Sequence, residues 1–440
     1  MDPRPPTGEP KAHPTVSRVY DDGMLVDLVY DRARATTALA VRWPDGRLSV
    51  ERQVTAGDGE RLRPYAAANS LIASDAVLLA SAIAPAEEKA ELVAAIRSFL
   101  DQHVDLSPGF ADIAVHYVLL SWVYDAFSDL PYLRFRGDYG TGKTRALLTL
   151  GHLCYKAFFA SGASTVSPIF HILDAFQGTL VLDEADLRFS DATADLTKVL
   201  NNGTMRGLPV LRTMVTRDKE LSPRAFRVFG PKLIGMRGSF SDPALESRFL
   251  TEETGTRVMR ADIPIHLPPA FKAEALALRN RLLGFRLRHF HDLAGAEVHA
   301  VPGLEARTNQ TALALLSLID DPAVRAHIAA TLAQRDAAVR AERSQTIEAL
   351  LVEAVVRAFE ASPKPVAPVS DIAAHFNAAR LAERSKPLSA KSVGHMLRSR
   401  LRLATEKTRG IYVVPARERA KAEVLAQRFA VSAVHDAMPP

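Results

Sequence analysis

The sequence predicts an α/β protein of several domains, with a parallel sheet and its connecting helices in the middle of the chain. Three observations predict this fold class. The chain has 440 residues, which is more than one hydrophobic core usually serves. Strand-like and helix-like segments alternate from about 128 to 265, as they do around a parallel sheet. Helical periodicity then dominates from 266 to about 360, which indicates a further helical region.

Composition excludes several other classes of protein. Hydrophobic residues make up 48% and charged residues 24%, a mixture typical of soluble globular proteins, so most of the chain should fold. A single cysteine, Cys154, excludes a disulfide framework and a cysteine-based zinc site. The N-terminus is polar and proline-rich, and no stretch of 18 apolar residues occurs. We therefore expect a cytoplasmic protein with no membrane partner.

The N-terminal part predicts a small β domain followed by helices. Residues 1–60 contain a polar tail and three short strand patterns, at 24–29, 37–43 and 48–54. From 61 to 127 the apolar residues recur at intervals of three and four, which predicts a helical collar before the sheet.

A glycine-rich segment follows the first predicted strand of the sheet and precedes a helix. Its residues are Gly137, Asp138, Tyr139, Gly140, Thr141, Gly142, Lys143 and Thr144, which match the Walker A pattern GxxxxGK[ST]. Glycines let the backbone N–H groups and the helix N-terminus face phosphates. We expect this segment to bind ATP, with Lys143 contacting the β- and γ-phosphates and Thr144 ligating Mg²⁺.

A second segment supplies the carboxylates that hydrolysis of ATP needs. The apolar strand pattern 179–182 is followed by Asp183 and Glu184, which is the arrangement of a Walker B strand. Asp183 is expected to hold the Mg²⁺ shell and Glu184 to polarise the attacking water. The alternative is a surface strand that ends in two solvated acids. The letters of 183–186 also suggest a DEAD-box protein, but no second motor domain is visible.

The order of these segments resembles AAA+ ATPases of the helicase clade. That clade includes minichromosome maintenance helicases and the replication helicases of phages, plasmids and integrative elements. The resemblance covers roughly 115–320 and implies an AAA+ P-loop NTPase core at 128–265 with a helical lid at 266–343.

The resemblance also implies a hairpin that enters the pore of a ring. The segment from 208 to 230 is a β-hairpin pattern with a charged tip, in which Arg217 and Lys219 would contact single-stranded DNA. An ordinary solvated turn is the alternative. The family's sensor-one position usually carries asparagine, whereas the strand after this hairpin is followed by Arg237. Asn201 and Asn202, before the hairpin, are the other polar candidates for that role.

Two arginines match family positions that complete an ATP site. Arg248, in the segment Ser247-Arg248-Phe249, resembles the arginine finger, which acts on the site of a neighbouring subunit. A surface ion pair with Glu246 is the alternative. Arg307 matches the sensor-two arginine of the lid. The resemblance thus implies a homo-oligomer, most simply a hexameric ring.

The region 344–440 predicts a winged-helix domain, because three helix patterns are followed by a final hairpin pattern. Between 384 and 409 there are eight Lys or Arg residues and one acidic residue, so this surface is expected to attract DNA phosphates. Docking of another protein is the alternative. The expected DNA contacts are Lys391, Arg398, Arg400, Arg402, Lys407 and Arg409.

These patterns together favour an ATP-dependent, ring-forming DNA helicase or translocase acting on single-stranded or forked DNA in the replication of a mobile element or phage. An AAA+ remodeller or loader that does not unwind DNA is the second hypothesis. A transcription regulator with an ATPase switch is the third, and the scarcity of base-reading side chains disfavours it. No primase constellation is visible, so a separate primase or polymerase would supply priming.

Overall fold

The computed structural model describes residues 12–161, 165–183, 191–215, 221–240, 242–295, 299–344, 346–380, 387–429 and 431. The chain divides into two compact units, Met1–Thr331 and Leu332–Pro440. Across the part of the chain that is described, no helix has the length and apolar character to cross a membrane.

The first unit begins with a small β module. Its strands are β1 (His13–Thr15), β2 (Ser17–Val19), β3 (Leu25–Asp31), β4 (Thr36–Arg42), β5 (Leu48–Glu51), β6 (Val54–Thr55) and β7 (Arg61–Pro64). An antiparallel sheet has the order β2-β3-β4-β5, and a smaller sheet has the order β1-β7-β6. The turn between β4 and β5 contains Gly46 with φ 85°, which glycine adopts without steric cost. The three strands expected from the sequence correspond to β3, β4 and β5.

The helical collar expected over 61–127 is only partly helical. The helices are α1 (Ser70–Ala73), α2 (Lys89–His103) and α3 (Pro108–Val123), whereas 61–64 forms the strand β7. After α1 the chain is extended, and Val77 and Ala80 form bridges to Phe158 and Val29. Asp75, with φ 54°, ends the helix. The expectation of a helix was wrong there because the spacing of apolar residues in a short run does not distinguish a buried helix from an extended segment.

A five-stranded parallel sheet forms the centre of the first unit. The elements in chain order are β8 (Tyr132–Arg136), α4 (Lys143–Gly151), β9 (Phe158–Ser161), α5 (Val166–Phe176), β10 (Leu180–Asp183), α6 (Asp191–Asn202), β11 (Val210–Val215), β12 (Leu221–Phe226), β13 (Lys232–Met236), α7 (Pro243–Glu246) and β14 (Phe249–Glu253). The order in the sheet is β14-β8-β13-β10-β9, and every neighbouring pair is parallel. The expected α/β class with a parallel sheet is confirmed.

The sheet brings three segments that are distant in sequence to one edge. Because all five strands are parallel, their carboxyl ends lie at the same edge of the sheet. The glycine-rich segment follows β8, Asp183 ends β10, and β13 lies between these two strands. The inner strands β8, β13 and β10 are buried on both faces, as at Leu180, Val181 and Leu182 of β10, which fixes their register, whereas β9 at the edge of the sheet is partly exposed.

The strands β11 and β12 form the antiparallel hairpin expected from the sequence. Their register runs from Val210 opposite Phe226 to Val215 opposite Leu221. The strand β12 starts at Leu221, earlier in the chain than the sequence pattern predicts. The segment that connects the two strands, 216–220, is therefore shorter than the predicted tip. Arg217 and Lys219 fall in that segment, outside the described residues.

Three further helices follow the sheet. They are α8 (Phe271–Ala294), α9 (Ala306–Leu316) and α10 (Pro322–Ser344), and the boundary between the two units falls within α10.

A buried ionic cluster joins three regions of the first unit. Arg286 of α8 donates from Nε to Asp27 Oδ2 at 2.9 Å and from Nη2 to Asp125 Oδ2 at 2.7 Å. Lys156 Nζ lies 2.7 Å from Asp27 Oδ1. Burial lowers the pKa of Lys156 to about 8, and the carboxylate of Asp27 opposes that decrease. Through this cluster, β3, α8 and the segment after α4 are held in one arrangement.

Beyond α10, the described residues of the second unit form four α-helices and a three-stranded sheet. Beyond the end of α10, its elements are α11 (Ile347–Ala361), β15 (Ala367–Pro368), α12 (Val369–Arg380), α13 (Ala390–Ser399), β16 (Glu406–Thr408), β17 (Ile411–Val414) and α14 (Arg419–Arg428). The sheet is antiparallel with the order β15-β17-β16, and Leu351, Val355, Phe376 and Leu397 lie in the core.

The composition of the proline-rich tract 361–368 predicts a joint between domains. The tract does not separate domains, because its last two residues form β15 and pair with β17.

Candidate nucleotide-binding site

The glycine-rich segment forms a tight loop between β8 and α4. Gly140 and Gly142 have φ values of 72° and 91°, which side chains rarely allow, and Gly142 directly precedes the first turn of α4. A Cβ at Gly137 would lie 2.4 Å from both the carbonyl and the hydroxyl oxygen of Thr254. The loop therefore packs against the residue that follows β14, and its three glycines, of which Gly137 and Gly142 belong to the Walker A pattern, are needed for its shape.

Lys143 bends back over this loop. Its Nζ donates to the carbonyl oxygens of Gly137 at 2.7 Å and Asp138 at 2.6 Å. The ammonium group and the N-terminus of α4 are thus brought to the same small region, and both attract anions. Thr141 Oγ1 also donates to the carbonyl of Asp138, at 2.8 Å, which holds the loop closed on one side.

Thr144 and Asp183 bring the two predicted motifs into contact. Thr144 Oγ1 donates to Asp183 Oδ2 at 2.6 Å, across 39 positions of sequence. A hydroxyl and a carboxylate are oxygen ligands that Mg²⁺ prefers, and Mg²⁺ commonly takes one or two protein oxygens together with phosphate oxygens. The donor set therefore fits a Mg²⁺–nucleotide, with Thr144 and Asp183 as the residues that would hold the metal.

Gly235 leaves room for this carboxylate. A Cβ at that position of β13 would lie 2.8 Å from Asp183 Oδ1 and 2.8 Å from a methyl carbon of Leu147 in α4. Contacts this short do not occur between real side chains, so any other residue here would displace Asp183 or α4. The sequence analysis missed Gly235, because its importance depends on the pairing of β13 with β10.

A cavity of about 460 Å³ opens beside the loop. The loop residues 140–142 form one wall, and apolar side chains form much of the rest: Val104, Leu106, Met259, Ile263 and Ile265. Arg145 of α4 donates to the carbonyl of Ile265 across the cavity wall. A mainly apolar cavity of this size can take a base and sugar. Its apolar lining comes mainly from the connecting segments 104–106 and 259–265, which carry no sequence motif, so local patterns could not predict it.

A larger cavity, of about 880 Å³, shares no lining residue with the loop. It lies among β2, the base of the β11–β12 hairpin and the end of α8. Its arginines have acceptors: Arg206 donates to the carbonyl of Asp125 and Arg227 to Asp174. Because the glycine-rich loop lines the smaller cavity and not this one, we place the candidate nucleotide site in the smaller cavity.

Arg248 lies at the opposite edge of the sheet from the loop. It directly precedes β14, whereas the loop follows the far end of β8, so five residues of strand, roughly 16 Å, separate them. Its Nη1 donates to Asn201 Oδ1 at 2.9 Å and to Leu200 O at 3.3 Å. Burial, and then the charge of Arg307, lower the pKa of Arg248.

Two alternatives raised by the sequence do not fit this arrangement. Glu246 forms a bidentate pair with Arg134, at 2.6 and 2.7 Å, instead of pairing with Arg248. Asn201 contacts Arg248 and Asp242, at the edge away from the chain's own loop. Asn201 is therefore not a sensor for that loop.

Arg307 lies near the start of α9 and close enough to Arg248 to affect its pKa. Its Nη1 donates to Gln310 Oε1 at 3.1 Å, and Gln310 in turn donates to Asp129 at 2.9 Å. The two predicted arginines are thus grouped at one edge, while Lys143, Thr144 and Asp183 are grouped at the other. Glu184 falls outside the described residues.

The expected DNA contacts of the second unit are all exposed. Lys391 and Arg398 lie on α13, Lys407 lies on β16, and Arg400, Arg402 and Arg409 lie in the connecting segments. Two of them have partners within the unit. Arg400 Nη1 donates to Glu348 at 2.6 Å, and Arg398 Nη1 donates to Thr405 at 2.8 Å. The remaining four present their charge to solvent with no hydrogen bond from their side chains among those described.

No family model matches this chain, and a comparison with curated proteins found no match. Solved structures with some likeness include the apo C-terminal region of NrS-1, at 13% identity and a TM-score of 0.37, covering 89% of this chain and 96% of that one. Another is SCCmec type IV Cch, described as an active helicase, at 11% identity and a TM-score of 0.40, covering 91% and 94%. Cdc6p from Pyrobaculum aerophilum has 14% identity and a TM-score of 0.20, covering 74% and 95%. With TM-scores below 0.5, these likenesses carry no argument about activity.

Proposed function

We propose that this chain is an ATP-dependent DNA helicase or translocase of the AAA+ class that works as a ring. The observation that carries the ATPase part is the hydrogen bond between Thr144 and Asp183, since it joins a glycine-rich loop and a strand-end carboxylate at one edge of a parallel sheet. That edge is where open α/β sheets bind ligands.

The roles of the site residues follow from their positions. The loop N–H groups and Lys143 bind the phosphates, and the apolar cavity beside the loop takes the nucleoside. Mg²⁺, when bound with ATP, neutralises charge on the phosphates. Thr144 and Asp183 hold it, and Glu184, the next residue in sequence, orients the attacking water. Lys143 must leave the carbonyls of Gly137 and Asp138 to reach a phosphate.

The proposal of a ring is supported by the distance between two sets of charged residues in this chain, the arginines Arg248 and Arg307 and the residues of the candidate nucleotide site. Arg248 and Arg307 lie at the sheet edge away from the chain's own loop, so they can complete an ATP site only if a neighbouring subunit brings its loop to them. We therefore propose a homo-oligomer, a hexamer in its simplest form. In this account 128–265 is the AAA+ core and 266–343 is the helical lid.

Contact with DNA is assigned to two surfaces. The hairpin tip would bring Arg217 and Lys219 to single-stranded DNA. The helices α11–α13 and the hairpin β16–β17 have the order of a winged helix, and their exposed basic residues would bind phosphates. Such an enzyme would act in the cytoplasm, in the replication of a phage or mobile element. A separate primase or polymerase would supply priming.

An AAA+ remodeller or loader that does not unwind DNA is the second candidate. The exposed basic residues of α13 and the β16–β17 hairpin favour it, because this arrangement suits duplex DNA and does not itself need strand separation. It predicts ATP-controlled assembly on DNA without displacement of a strand.

Mg²⁺-dependent ATP hydrolysis tests the site directly. Lys143→Ala should lower turnover at least 100-fold, because positioning and charge neutralisation supply most of the catalysis of phosphoryl transfer, roughly a hundredfold or more per group. The matched control is Lys272→Ala, which removes an exposed lysine of α8 and should leave turnover unchanged. Turnover by Lys143→Ala at the wild-type rate would contradict the site.

A further inference from the structure

The larger cavity, of about 880 Å³, opens at the edge of the sheet where the strands begin. Gln177 and Phe229 line it, and these residues precede β10 and β13 by three positions each. Because the strands are parallel, the cavity lies at the opposite edge from the glycine-rich loop and Asp183. It is therefore separate from the candidate nucleotide site, and its volume is nearly twice the 460 Å³ of the cavity beside the loop.

Aromatic side chains form one part of the wall of this larger cavity. Tyr124 and Phe290 are buried, and Phe229 is partly exposed. The ring centroids of Tyr124 and Phe229 are 5.6 Å apart. The hydroxyl of Tyr124 donates to the carbonyl of Gln177 at 2.7 Å, which fixes the orientation of that ring. The face of an aromatic ring is a surface on which any nucleobase can stack.

Arg206 places a positive charge beside this aromatic wall. Its backbone N–H donates to the carbonyl of Ser128 at 2.9 Å, and its guanidinium carbon lies 5.6 Å from the ring centroid of Phe229. Its side chain donates to the main-chain carbonyl of Asp125, which carries no net charge. The carboxylate of Asp125 is itself bound by Arg286, at 2.7 Å. The positive charge of Arg206 is therefore available to an anion in the cavity.

A second arginine of the lining, Arg227, lies at the base of the β11–β12 hairpin. It directly follows β12, whereas Arg206 precedes β11 by four residues, and the pairing of the two strands brings both segments to the same end of the hairpin. Arg227 and Arg224 contact the same carboxylate, Asp174, at 3.3 and 3.1 Å. Asp21, an exposed acid of the lining, offsets one positive charge. These three arginines are thus balanced by two acids, so an excess positive charge remains.

We propose that the larger cavity binds a nucleotide, with its base stacked on Tyr124 and Phe229 and its phosphate bound by Arg206 and Arg227. Guanidinium groups form charge-assisted hydrogen bonds with phosphate oxygens, and these bonds can be bidentate. Stacking rings beside a positively charged surface are the combination with which proteins hold unpaired nucleotides. This inference goes beyond the proposed function and does not depend on ATP in the glycine-rich loop.

A nucleotide with these features comes from two sources, a free nucleotide or an unpaired nucleotide of a single strand. Both present a free base face and a phosphate. A base pair inside a duplex does not, because the neighbouring pairs cover its faces. The mononucleotide dTMP and the tetranucleotide (dT)₄ with a 5′-phosphate distinguish the two sources.

Calorimetric titration of the full chain with dTMP and with (dT)₄ tests the proposal. EDTA is present, and neither probe carries the β- and γ-phosphates that the glycine-rich loop and Lys143 are expected to bind. Arg206→Ala and Phe229→Leu should each weaken the binding of at least one probe about 5- to 100-fold, as expected for the loss of one phosphate contact or one base stack. Phe229→Tyr keeps the ring and should bind as the wild type does. The matched control is Arg52→Ala, an exposed arginine of the N-terminal module, which should also bind both probes as the wild type does.

Photo-cross-linking locates the bound base. In each probe 5-iodouracil replaces thymine, and irradiation attaches it to an aromatic side chain in contact with it. Mass spectrometry of the digested protein then identifies the attached residue. We expect attachment at Tyr124 or Phe229, with a lower yield in Arg206→Ala.

The outcomes identify the source of the nucleotide or overturn the proposal. Weaker binding of dTMP by the cavity variants indicates a free nucleotide, and weaker binding of (dT)₄ alone indicates a single strand. No binding of either probe by the wild type, unchanged binding of both by Arg206→Ala and Phe229→Leu, or cross-links only to residues outside the cavity lining would overturn the proposal.

The proposed function is tested separately. Lys143→Ala should bind both probes as the wild type does, because the loop lies at the other edge of the sheet. Loss of ATP hydrolysis in Lys143→Ala and loss of probe binding in the cavity variants are therefore independent results. Thermal melts that match the wild type confirm that each variant is folded.

Discussion

Single residues with no side chain shape the candidate site as much as those that carry charge. Gly235 has no motif around it, yet its position on β13 is filled by the carboxylate of Asp183 and by Leu147. A packed interior has no spare volume for even one methyl group. The position of Asp183, the carboxylate proposed to hold Mg²⁺, therefore depends on a glycine in a different strand.

Gly235→Ala should impair the use of Mg²⁺ more than the binding of phosphates. The added Cβ would need to lie 2.8 Å from Asp183 Oδ1, so the carboxylate must shift away from Thr144. We expect the Mg²⁺ concentration for half-maximal ATP hydrolysis to rise several-fold, about the factor expected when a ligand's support is disturbed.

The control for this change is Gly46→Ala, which also places a methyl group on a glycine but in the turn between β4 and β5, where a Cβ meets nothing within 4 Å. It should strain only that turn and leave the Mg²⁺ dependence as it is. A normal Mg²⁺ dependence in Gly235→Ala would contradict the close packing at Asp183.

At the residue scale, the sequence predicted the groups that belong to a continuous motif. Lys143 and Thr144 stand in one loop, and Asp183 follows an obvious apolar strand, so local pattern suffices to find them. Gly235 and the apolar cavity residues could not be predicted, because their roles depend on which strands and connecting segments become neighbours. The alternative of an ion pair between Arg248 and Glu246 was wrong, since Glu246 binds Arg134, which is distant in sequence.

At the scale of elements, the long helix α8 is anchored to the N-terminal module through buried charge. Arg286 contacts Asp27 and Asp125, and Lys156 contacts Asp27 from a third direction. A buried ion pair adds little when complete, but removal of one partner leaves an uncompensated charge.

Asp27→Asn should destabilise the first unit by about 3 kcal/mol, because buried Arg286 would keep its charge with Asp125 as its remaining carboxylate partner, and buried Lys156 would lose the carboxylate that supports its charged form. Thermal unfolding followed by circular dichroism measures the effect. Asp45→Asn, in an exposed turn of the same module, is the matched control and should change stability by less than about 0.5 kcal/mol. Equal melting of Asp27→Asn and the wild type would contradict a structural role for the cluster.

Elements with strong periodicity were predictable, and short apolar runs were not. The sheet strands alternate with helices along 128–265, so the α/β class follows from the sequence. Residues 74–84 were expected to be helical but form a turn and then an extended stretch, in which the backbone of Val77 pairs with β9 and that of Ala80 pairs with β3. Only the tertiary neighbours distinguish these two outcomes.

At the scale of the whole molecule, the distance between the two groups of charged residues supports the proposed action at interfaces between subunits. Lys143, Thr144 and Asp183 lie at one edge of the sheet, whereas Arg248 and Arg307 lie at the other. One chain alone cannot bring them together, since the strands that separate them are rigid parts of the sheet.

Mixed assemblies test whether the arginine acts on a neighbour. Arg248→Ala alone and Lys143→Ala alone should each lower ATP hydrolysis by at least about 100-fold. A mixture of the two should regain part of the activity, because an Arg248→Ala subunit keeps an intact loop and receives an intact Arg248 from its neighbour.

The controls are the two single variants, each assayed alone at the total protein concentration of the mixture, and neither should recover ATP hydrolysis. Failure of the mixed sample to exceed these controls would contradict a role for Arg248 in a neighbouring site.

The boundary between the two units could not be predicted to the residue. The sequence suggested a change of domain at 344 and a joint at 361–368, but the division falls at Leu332 within α10. A continuous helix gives no change of composition at a boundary, whereas a proline-rich tract can be part of a folded sheet, as β15 is.

The most direct test of the central claim is ATP-dependent displacement of a labelled strand from forked DNA, with the wild type and Lys143→Ala side by side and forks of both polarities. We predict that the wild type displaces the strand from one type of fork and that Lys143→Ala displaces none. No displacement by a wild-type protein that still hydrolyses ATP in response to DNA would contradict a helicase and favour the remodeller or loader.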